Sequence, residues 1–166
     1  ASGGAKPLSD TAQGKVTEKA ETKSLAQTQI FSNISLVNEI LKNPGAISGP
    51  IQTGIIPFTA GATVKNQYNQ LKGLLSLDKR QLLKGSGAIS DFEFRVLNQA
   101  ASDLGRNQSE KSFKKSLLKI RGAFTTAAGL EAEVRVTDPS GESIVSTASR
   151  AEIDKLIAEG NTVEYI

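Results

Sequence analysis

The sequence predicts a mainly α-helical protein, built as a helical bundle or a set of helical hairpins, with a small C-terminal ββαβ unit and a flexible N-terminal arm. Apolar residues recur at helical spacing through most of the chain, and the period changes to strand-like alternation after Gly129. The first 22 residues hold almost no large apolar side chains. We therefore divide the chain into an arm (1–22), a helical domain (23–128) and an acidic C-terminal unit (129–166).

The N-terminal arm is predicted from its composition. Its residues are mostly small or charged, and their apolar area is too small to offset the entropy lost when a chain is ordered. Such an arm becomes ordered only against a neighbour. The chain begins at Ala1 without an initiator methionine, which is typical of simple trimming or of cleavage from a precursor.

The first helix is predicted from Lys23 to Lys42. Ile30, Ile34 and Val37 recur at spacings of four and three residues, as on one face of an amphipathic helix. Pro44 ends the helix, because proline disfavours helical conformation in the residue before it.

An apolar connection follows from Gly45 to Gly61. Its glycines and two prolines exclude a regular helix. Because the connection is apolar, we expect it to pack across the helices or to insert into a partner. Ile55, Ile56 and Phe58 are therefore candidate assembly contacts.

Three further helices are predicted between residues 60 and 128. The second helix covers about Ala60 to Leu83, the third starts at a Ser90 cap and ends before Gly105, and the fourth begins near Ser109. Short joints between these helices favour packing as a bundle. The fourth helix places its large apolar side chains on one face: Phe113, Leu117, Ile120 and Phe124.

The joint between the second and third helices, Leu82 to Glu93, has the outline of a calcium-binding loop without most of the ligands. Gly87 and Glu93 take the sixth and twelfth positions of an EF-hand loop, but Leu82 and Lys84 take the first and third, where the cation needs oxygen ligands. We therefore expect that calcium does not bind. Ser90 and Glu93 instead predict a capping box on the third helix, which makes the segment a structural corner.

The acidic C-terminal unit is predicted to be a hairpin, a short helix and a final strand. Residues 131–137 alternate as a strand, a turn follows at 138–141, and residues 143–147 return as the second strand. Ser149 and Glu152 predict a second capping box, on a helix that ends at Gly160.

The strand edges of this unit would be unpaired in a free monomer. We expect the final strand to add to a neighbour's sheet, with Val163 and Tyr165, or the alternate Ile166, contacting a pocket there. The unit has too few large apolar residues to fill a core of its own, so it needs another surface to pack against. We expect both ends of the chain to be assembly devices rather than parts of the helical core.

The composition excludes most familiar enzyme chemistry. The chain has no Cys, His, Met or Trp, which removes thiol nucleophiles, imidazole bases and the usual zinc ligands. Asp91 and Glu93 fall in a first helical turn, where the helix dipole accounts for both carboxylates. The glycine-rich residues 85–87 lack the Lys and Ser or Thr of a phosphate-binding loop. We predict no catalytic residue, metal or cofactor, and no apolar run approaches the roughly 18 residues of a membrane span.

Charge is unevenly distributed along the chain. The final 36 residues hold eight of the 17 acidic side chains and three of the 20 basic ones, which leaves +8 on the rest. Such asymmetry serves docking between copies or onto another protein, attraction to DNA or a membrane surface, or ordinary solubility. Six cations lie on or just before the fourth helix: Arg106, Lys111, Lys114, Lys115, Lys119 and Arg121. The default explanation is that they form a solvated helix face. They are nevertheless the best candidates in the sequence for a contact with phosphate or with a partner.

The segment from Asn66 to Ile120 has a predicted helix ending in a Leu-Lys-Gly-x-Gly corner, then an isoleucine, a Ser cap, an acidic first turn, an Ala-rich helix and a Ser-initiated helix. This order of features, with Ser or Thr at the cap, resembles a pattern found in virion proteins of tailed bacteriophages. The sequence from Val134 onwards is also similar to a short unit that closes some phage structural proteins. The matching corner and helix residues are Leu83, Lys84, Gly85, Gly87, Ile89, Ser90, Glu93, Ala100, Ala101 and Ser109.

The resemblance implies a non-enzymatic virion protein, present in several copies at the portal, in the tail or among the internal DNA-ejection proteins. The implied partners are other virion proteins, such as portal or tail subunits, and further copies of the same chain. Large ejection proteins of this kind sometimes carry a peptidoglycan-cleaving domain, and this chain shows no such segment. The alternative is a basic accessory protein that binds DNA or a membrane surface during infection or packaging.

Overall fold

A computed structural model describes residues 10–42, 62–106 and 109–166 of the chain. Helices dominate these residues, and a three-stranded antiparallel sheet lies near the C-terminus, so the predicted fold class is confirmed. The elements in chain order are α1 (Asp10–Leu41), α2 (Ala62–Leu74), α3 (Leu77–Gly85), α4 (Asp91–Leu104), α5 (Glu110–Ala127), β1 (Ala132–Thr137), β2 (Ser143–Ala148), α6 (Arg150–Ala158) and β3 (Thr162–Tyr165).

Helix α1 begins earlier than the sequence analysis predicted. The helix starts at Asp10 rather than Lys23, so residues 10–22 of the predicted flexible arm are helical, and residues 1–9 lie outside the described residues. The physical reason is that residues 10–22 contain Ala, Gln, Lys and Glu, whose intrinsic preference for helix does not depend on an apolar face. A helix already formed over the buried positions further along propagates at little cost, because nucleation is the expensive step.

The predicted second helix is two helices. α2 ends at Leu74, and α3 begins two residues after Leu75. Ser76 caps α3, since its side chain accepts a hydrogen bond from the Lys79 amide at 3.5 Å. The freed carbonyl of Leu75 accepts from Arg80 Nε at 2.7 Å, which satisfies the end of α2.

The corner between α3 and α4 has the predicted form. Gly87 adopts a positive φ of 77°. Its amide donates to the Lys84 carbonyl, and the Ala88 amide donates to the Leu83 carbonyl, each at 3.1 Å. These two bonds form the Schellman ending of a helix, in which a left-handed glycine allows the chain to reverse. The capping box at Ser90 then begins α4, as predicted.

The helices pack around α5, which contacts α1, α4, β1 and β3. The four apolar residues predicted on one face of α5 are fully buried. On α2, the Tyr68 hydroxyl donates to the Leu104 carbonyl of α4 at 2.9 Å. Buried side chains from the helices and from the sheet belong to a single hydrophobic cluster, which includes Ile30, Val37, Ile40, Tyr68, Leu71, Leu97, Leu104, Phe113, Leu117, Ile120, Phe124, Val134 and Tyr165.

The sheet has the strand order β2-β1-β3, with β1 antiparallel to both neighbours. The final strand therefore pairs with β1 of its own chain, where Tyr165 lies opposite Val134. Val163 and Tyr165 are buried in the same core. The prediction that these two side chains contact a neighbour's pocket is wrong, because the helices of this chain already provide the apolar surface that the unit needed.

The C-terminal unit is also part of the core rather than a separate device. The Tyr165 ring lies so close to α5 that a Cβ added to Gly122 would be 2.5 Å from it. The Phe92 ring of α4 also packs against Tyr165, with ring centroids 5.5 Å apart. The surface against which the C-terminal unit packs is therefore formed by α4 and α5. The prediction that the C-terminal end is not part of the helical core is wrong.

Candidate functional site

A buried hydrogen-bond network joins the α3–α4 corner to the C-terminal unit. The Glu93 side chain is 1% exposed and receives four hydrogen bonds. Its Oε1 accepts from the Ser90 amide at 2.8 Å and from Arg150 Nη2 at 2.7 Å. Its Oε2 accepts from the Thr126 hydroxyl at 2.8 Å and from Arg150 Nε at 3.0 Å. The bidentate ion pair and the two further donors satisfy this carboxylate.

Arg150 and Tyr165 extend this network into α6 and β3. Arg150 Nη2 also donates to the Ala88 carbonyl at 2.8 Å. The hydrogen bonds to Glu93 raise the pKa of Arg150. The hydroxyls of Tyr165 and Thr126 are 2.6 Å apart, and burial raises the pKa of Tyr165. We call the set Ser90, Glu93, Thr126, Arg150 and Tyr165 the corner network; it holds four elements in one arrangement.

The corner network is suited to holding elements together, and its carboxylate is already engaged. Glu93 caps α4, as predicted. All four hydrogen bonds to its oxygens come from protein donors, so the carboxylate is not presented to a metal ion. Within the described ranges, no group of three or more acidic side chains is placed to hold a metal ion.

Most of the predicted basic contacts on α5 are paired with acids of this chain. Lys114 forms an ion pair with Glu110 at 3.0 Å. Lys115 and Lys119 lie 3.3 and 3.4 Å from Glu164 of β3. Desolvation acts to raise the pKa of Glu164, but the hydrogen bonds and charges of the two lysines outweigh it and lower that pKa.

The six predicted cations do not form one site. Arg121 donates to Asn38 Oδ1 of α1 at 3.3 Å, on a different side of α5 from the sheet contacts. Arg106 is exposed just after α4, and Lys111 is exposed in the first turn of α5.

A groove of about 810 Å³ runs beside α5 and the sheet. Lys111, Lys114 and Lys115 line it together with Arg135 and Ile166. Sequence analysis missed Arg135 because it lies in the acidic part of the chain. Its outward position in the alternating strand, opposite Glu164, was the signal that could have identified it. The groove therefore gathers cations from two regions of the sequence.

An apolar cleft lies between α1, the end of α2 and α3. The cleft is about 210 Å³ in volume and is lined by Leu25, Leu82 and Leu83 among others. Leu25 and Leu82 are 71% and 62% exposed. Asn33, also in the lining, is 1% exposed; its Oδ1 accepts from Gln29 at 2.9 Å, but its Nδ2 has no hydrogen-bond partner among the residues that the structure describes. We call this feature the α1–α3 cleft.

The remaining predicted assembly contacts are placed as follows. Ile55, Ile56 and Phe58 lie outside the described residues. Ile166 is partly buried at the groove, and its amide donates to the Glu133 carbonyl at 3.2 Å, which continues the pairing of β3 with β1.

No protein-family model, curated protein or solved structure matches this chain. Among the described helices, none is both long enough and apolar enough to cross a membrane.

Proposed function

We propose that this chain is a non-enzymatic structural protein of a tailed-bacteriophage virion, a multi-copy subunit of the portal, tail or internal ejection assembly. The α1–α3 cleft carries the proposal. Its volume is below the range of about 300–1,000 Å³ typical of small-molecule sites, which favours insertion of side chains from a neighbouring protein. The resemblance of residues 66–120 to virion proteins supplies the biological setting.

The polar part of the cleft supports a protein neighbour. A buried amide N–H without a partner costs about 1–3 kcal/mol. A main-chain carbonyl from an inserted segment would satisfy Asn33 Nδ2 and remove that cost. Leu25 and Leu82 line the cleft and are still mostly exposed, so a protein segment covers more of their apolar surface than a small molecule does.

The corner network supports a scaffold role. It fixes the helices and the sheet relative to one another through the ion pair between the buried Glu93 and the partly exposed Arg150. A rigid subunit presents its contact surfaces in constant geometry, which a repeated assembly requires.

Mass spectrometry of purified phage particles tests the proposal. We expect the chain in the particles, in several copies. Particles complemented with Leu82→Lys should contain less of the chain than wild-type particles, because a charge in the cleft opposes an apolar contact. Leu130→Lys is the matched control, since Leu130 is 51% exposed but lies outside the cleft. Absence of the chain from purified particles would overturn the proposal.

The second candidate function is binding of DNA phosphates by the groove beside α5. The gathering of Lys111, Lys114, Lys115 and Arg135 favours it. A phosphate contact predicts affinity that falls steeply with salt and that is independent of sequence. Lys111→Glu should reduce binding to duplex DNA, while Lys72→Glu on α2 should not. Binding to anionic vesicles but not to DNA would assign the groove to a membrane surface instead.

A further inference from the structure

Strand β2 lies at an edge of the sheet and pairs only with β1 within the described part of the chain. The Asp138 amide donates to the Glu142 carbonyl at 2.9 Å and the Asp138 carbonyl accepts from the Gly141 amide at 3.0 Å, so Asp138 takes a hydrogen-bonded position opposite the start of β2. Such positions alternate along an antiparallel ladder. The backbone groups of Ser143, Val145 and Thr147 are therefore directed away from β1, toward the free edge.

This edge lacks the features by which proteins block strand pairing. Its six residues, Ser143–Ala148, include no charge and no proline, and their register with β1 is unbroken, so there is no bulge. Ile144 and Val145 are 65% and 62% exposed. Ile144 lies opposite the buried Val136, so it is on the core-facing side of the sheet, yet the helices leave it uncovered.

The opposite edge of the sheet is different. There β3 lies against α5, whereas α6 contacts both β3 and β2. Its Glu164 side chain interacts with Lys115, Lys119 and Arg135. Charged side chains of this kind discourage a further strand. The accessible edge is therefore β2, and not the final strand that the sequence analysis selected.

We propose that β2 pairs antiparallel with β2 of a second copy of this chain, about a two-fold axis at Val145. This inference deepens the proposed multi-copy function and rests on it for its setting. The strand is neutral, so self-pairing brings no like charges together. In this register every outward backbone group finds a partner: Val145 faces Val145 of the second copy, and Ser143 faces its Thr147.

Side chains favour the same register. Val145 of each copy meets its counterpart on the outer face, as an apolar cross-strand pair. On the other face, Ile144 lies beside Ser146 of the second copy and is covered by the added strand. Both exposed apolar residues of β2 therefore lose exposure when the two strands pair.

The pairing closes on itself. The contact uses the same strand on both copies, so it is isologous and uses up the free edge. The ends of the resulting six-stranded sheet are the two β3 strands, with their charged Glu164 clusters. The product is a dimer and not a filament.

Sedimentation equilibrium of the whole chain tests the inference. The wild type is compared with two variants that carry a positive or a negative charge at Val145. We expect a wild-type dimer. Val145→Lys and Val145→Glu should each raise the dimer dissociation constant at least about tenfold, because like charges then face each other on the axis. An equimolar mixture of the two variants should form a mixed dimer. Circular dichroism checks that each variant stays folded.

A wild-type monomer, open-ended filaments, or variants that still dimerise alone would overturn the inference, as would a mixture that fails to dimerise. Amide hydrogen exchange of the wild type gives a test that needs no variant. The Ser143, Val145 and Thr147 amides should be protected at high concentration and lose protection on dilution; concentration-independent exchange overturns the pairing. If the chain dimerises but is absent from phage particles, the proposed function is wrong and the pairing of β2 still stands.

Discussion

The two capping boxes of the molecule have the same sequence pattern and the same local bonds, yet their glutamates lie in different surroundings. Ser90 and Ser149 accept from the amides of Glu93 and Glu152 at 3.2 and 3.3 Å, and each glutamate accepts from the serine amide in return. Glu93 is 1% exposed and binds Arg150, whereas Glu152 is exposed. Arg150 is the first residue of the second box's helix. The local pattern therefore specifies the cap, and the tertiary fold decides what else the glutamate does.

The largest expected difference between the boxes comes from neutralising each glutamate. Glu93→Gln breaks a buried ion pair, and we expect a loss of about 3 kcal/mol in the free energy of unfolding. This is the low end of the usual range, because the Arg150 side chain remains 33% exposed. Glu152→Gln, on the surface, should cost less than about 1 kcal/mol. Urea denaturation of both variants measures the difference, and equal losses would show that burial adds nothing.

A second prediction tests the close packing that supports the first box. Gly122→Ala would place a Cβ 2.5 Å from the Tyr165 ring, and Tyr165 bonds to Thr126 of the corner network. Overpacking of this kind costs typically about 1–3 kcal/mol. Gly73→Ala on α2 is the control, since nothing lies within 4 Å of its added Cβ. It should leave stability unchanged or raise it by up to about 1 kcal/mol. The midpoint temperature of thermal unfolding should fall for Gly122→Ala, and it should stay the same or rise for Gly73→Ala.

The third prediction uses pH, because only the first box is linked to a tyrosine. Burial raises the pKa of Tyr165 above its ordinary value of 10.0. Above pH 10 the unfolded chain releases this proton while the folded chain keeps it, so stability falls as pH rises. Tyr165 should contribute a slope of up to about 1.4 kcal/mol per pH unit. Tyr165→Phe should remove this contribution from the alkaline side of the stability curve.

Tyr68 provides the control for that experiment. Burial raises its pKa too, but its hydroxyl bonds to Leu104 on the other side of the core. Tyr68→Phe should therefore leave the Tyr165 contribution in place. If the stability of Tyr165→Phe keeps the full wild-type slope between pH 10 and 12, the tyrosine is not held neutral by the fold.

Sequence reasoning succeeded where the signal is local. Ser90 with Glu93 and Ser149 with Glu152 predicted both capping boxes, and Gly87 lies at the left-handed turn of the corner. Each of these features is decided within a few residues by backbone hydrogen bonds. The apolar face of α5 was equally readable, because helical spacing alone places its side chains in the core.

Sequence reasoning failed where partners are distant. Arg150 and Glu93 are 57 residues apart, and a pattern search in either neighbourhood does not reveal the pair. Tyr165 looked available to a neighbour because nothing in its own segment indicates that Gly122 leaves room for its ring. The break at Ser76 was missed for a third reason: apolar spacing continued across it and outweighed a single capping serine.

The smallest effect we predict concerns the serines of the two boxes. Ser90→Ala and Ser149→Ala should each cost about 1 kcal/mol, since both side chains cap a single amide at nearly the same distance. The two losses should agree within about 0.5 kcal/mol, even though the glutamates differ by several times that amount. Urea denaturation of Ser90→Ala, Glu93→Gln and the double variant tests whether cap and ion pair are independent. If the two losses are additive, the ion pair holds Glu93 in place without the cap. If the coupling energy is well above about 0.5 kcal/mol, the Ser90 cap positions Glu93 for Arg150. In that case the serines of the two boxes also differ in what they contribute to stability.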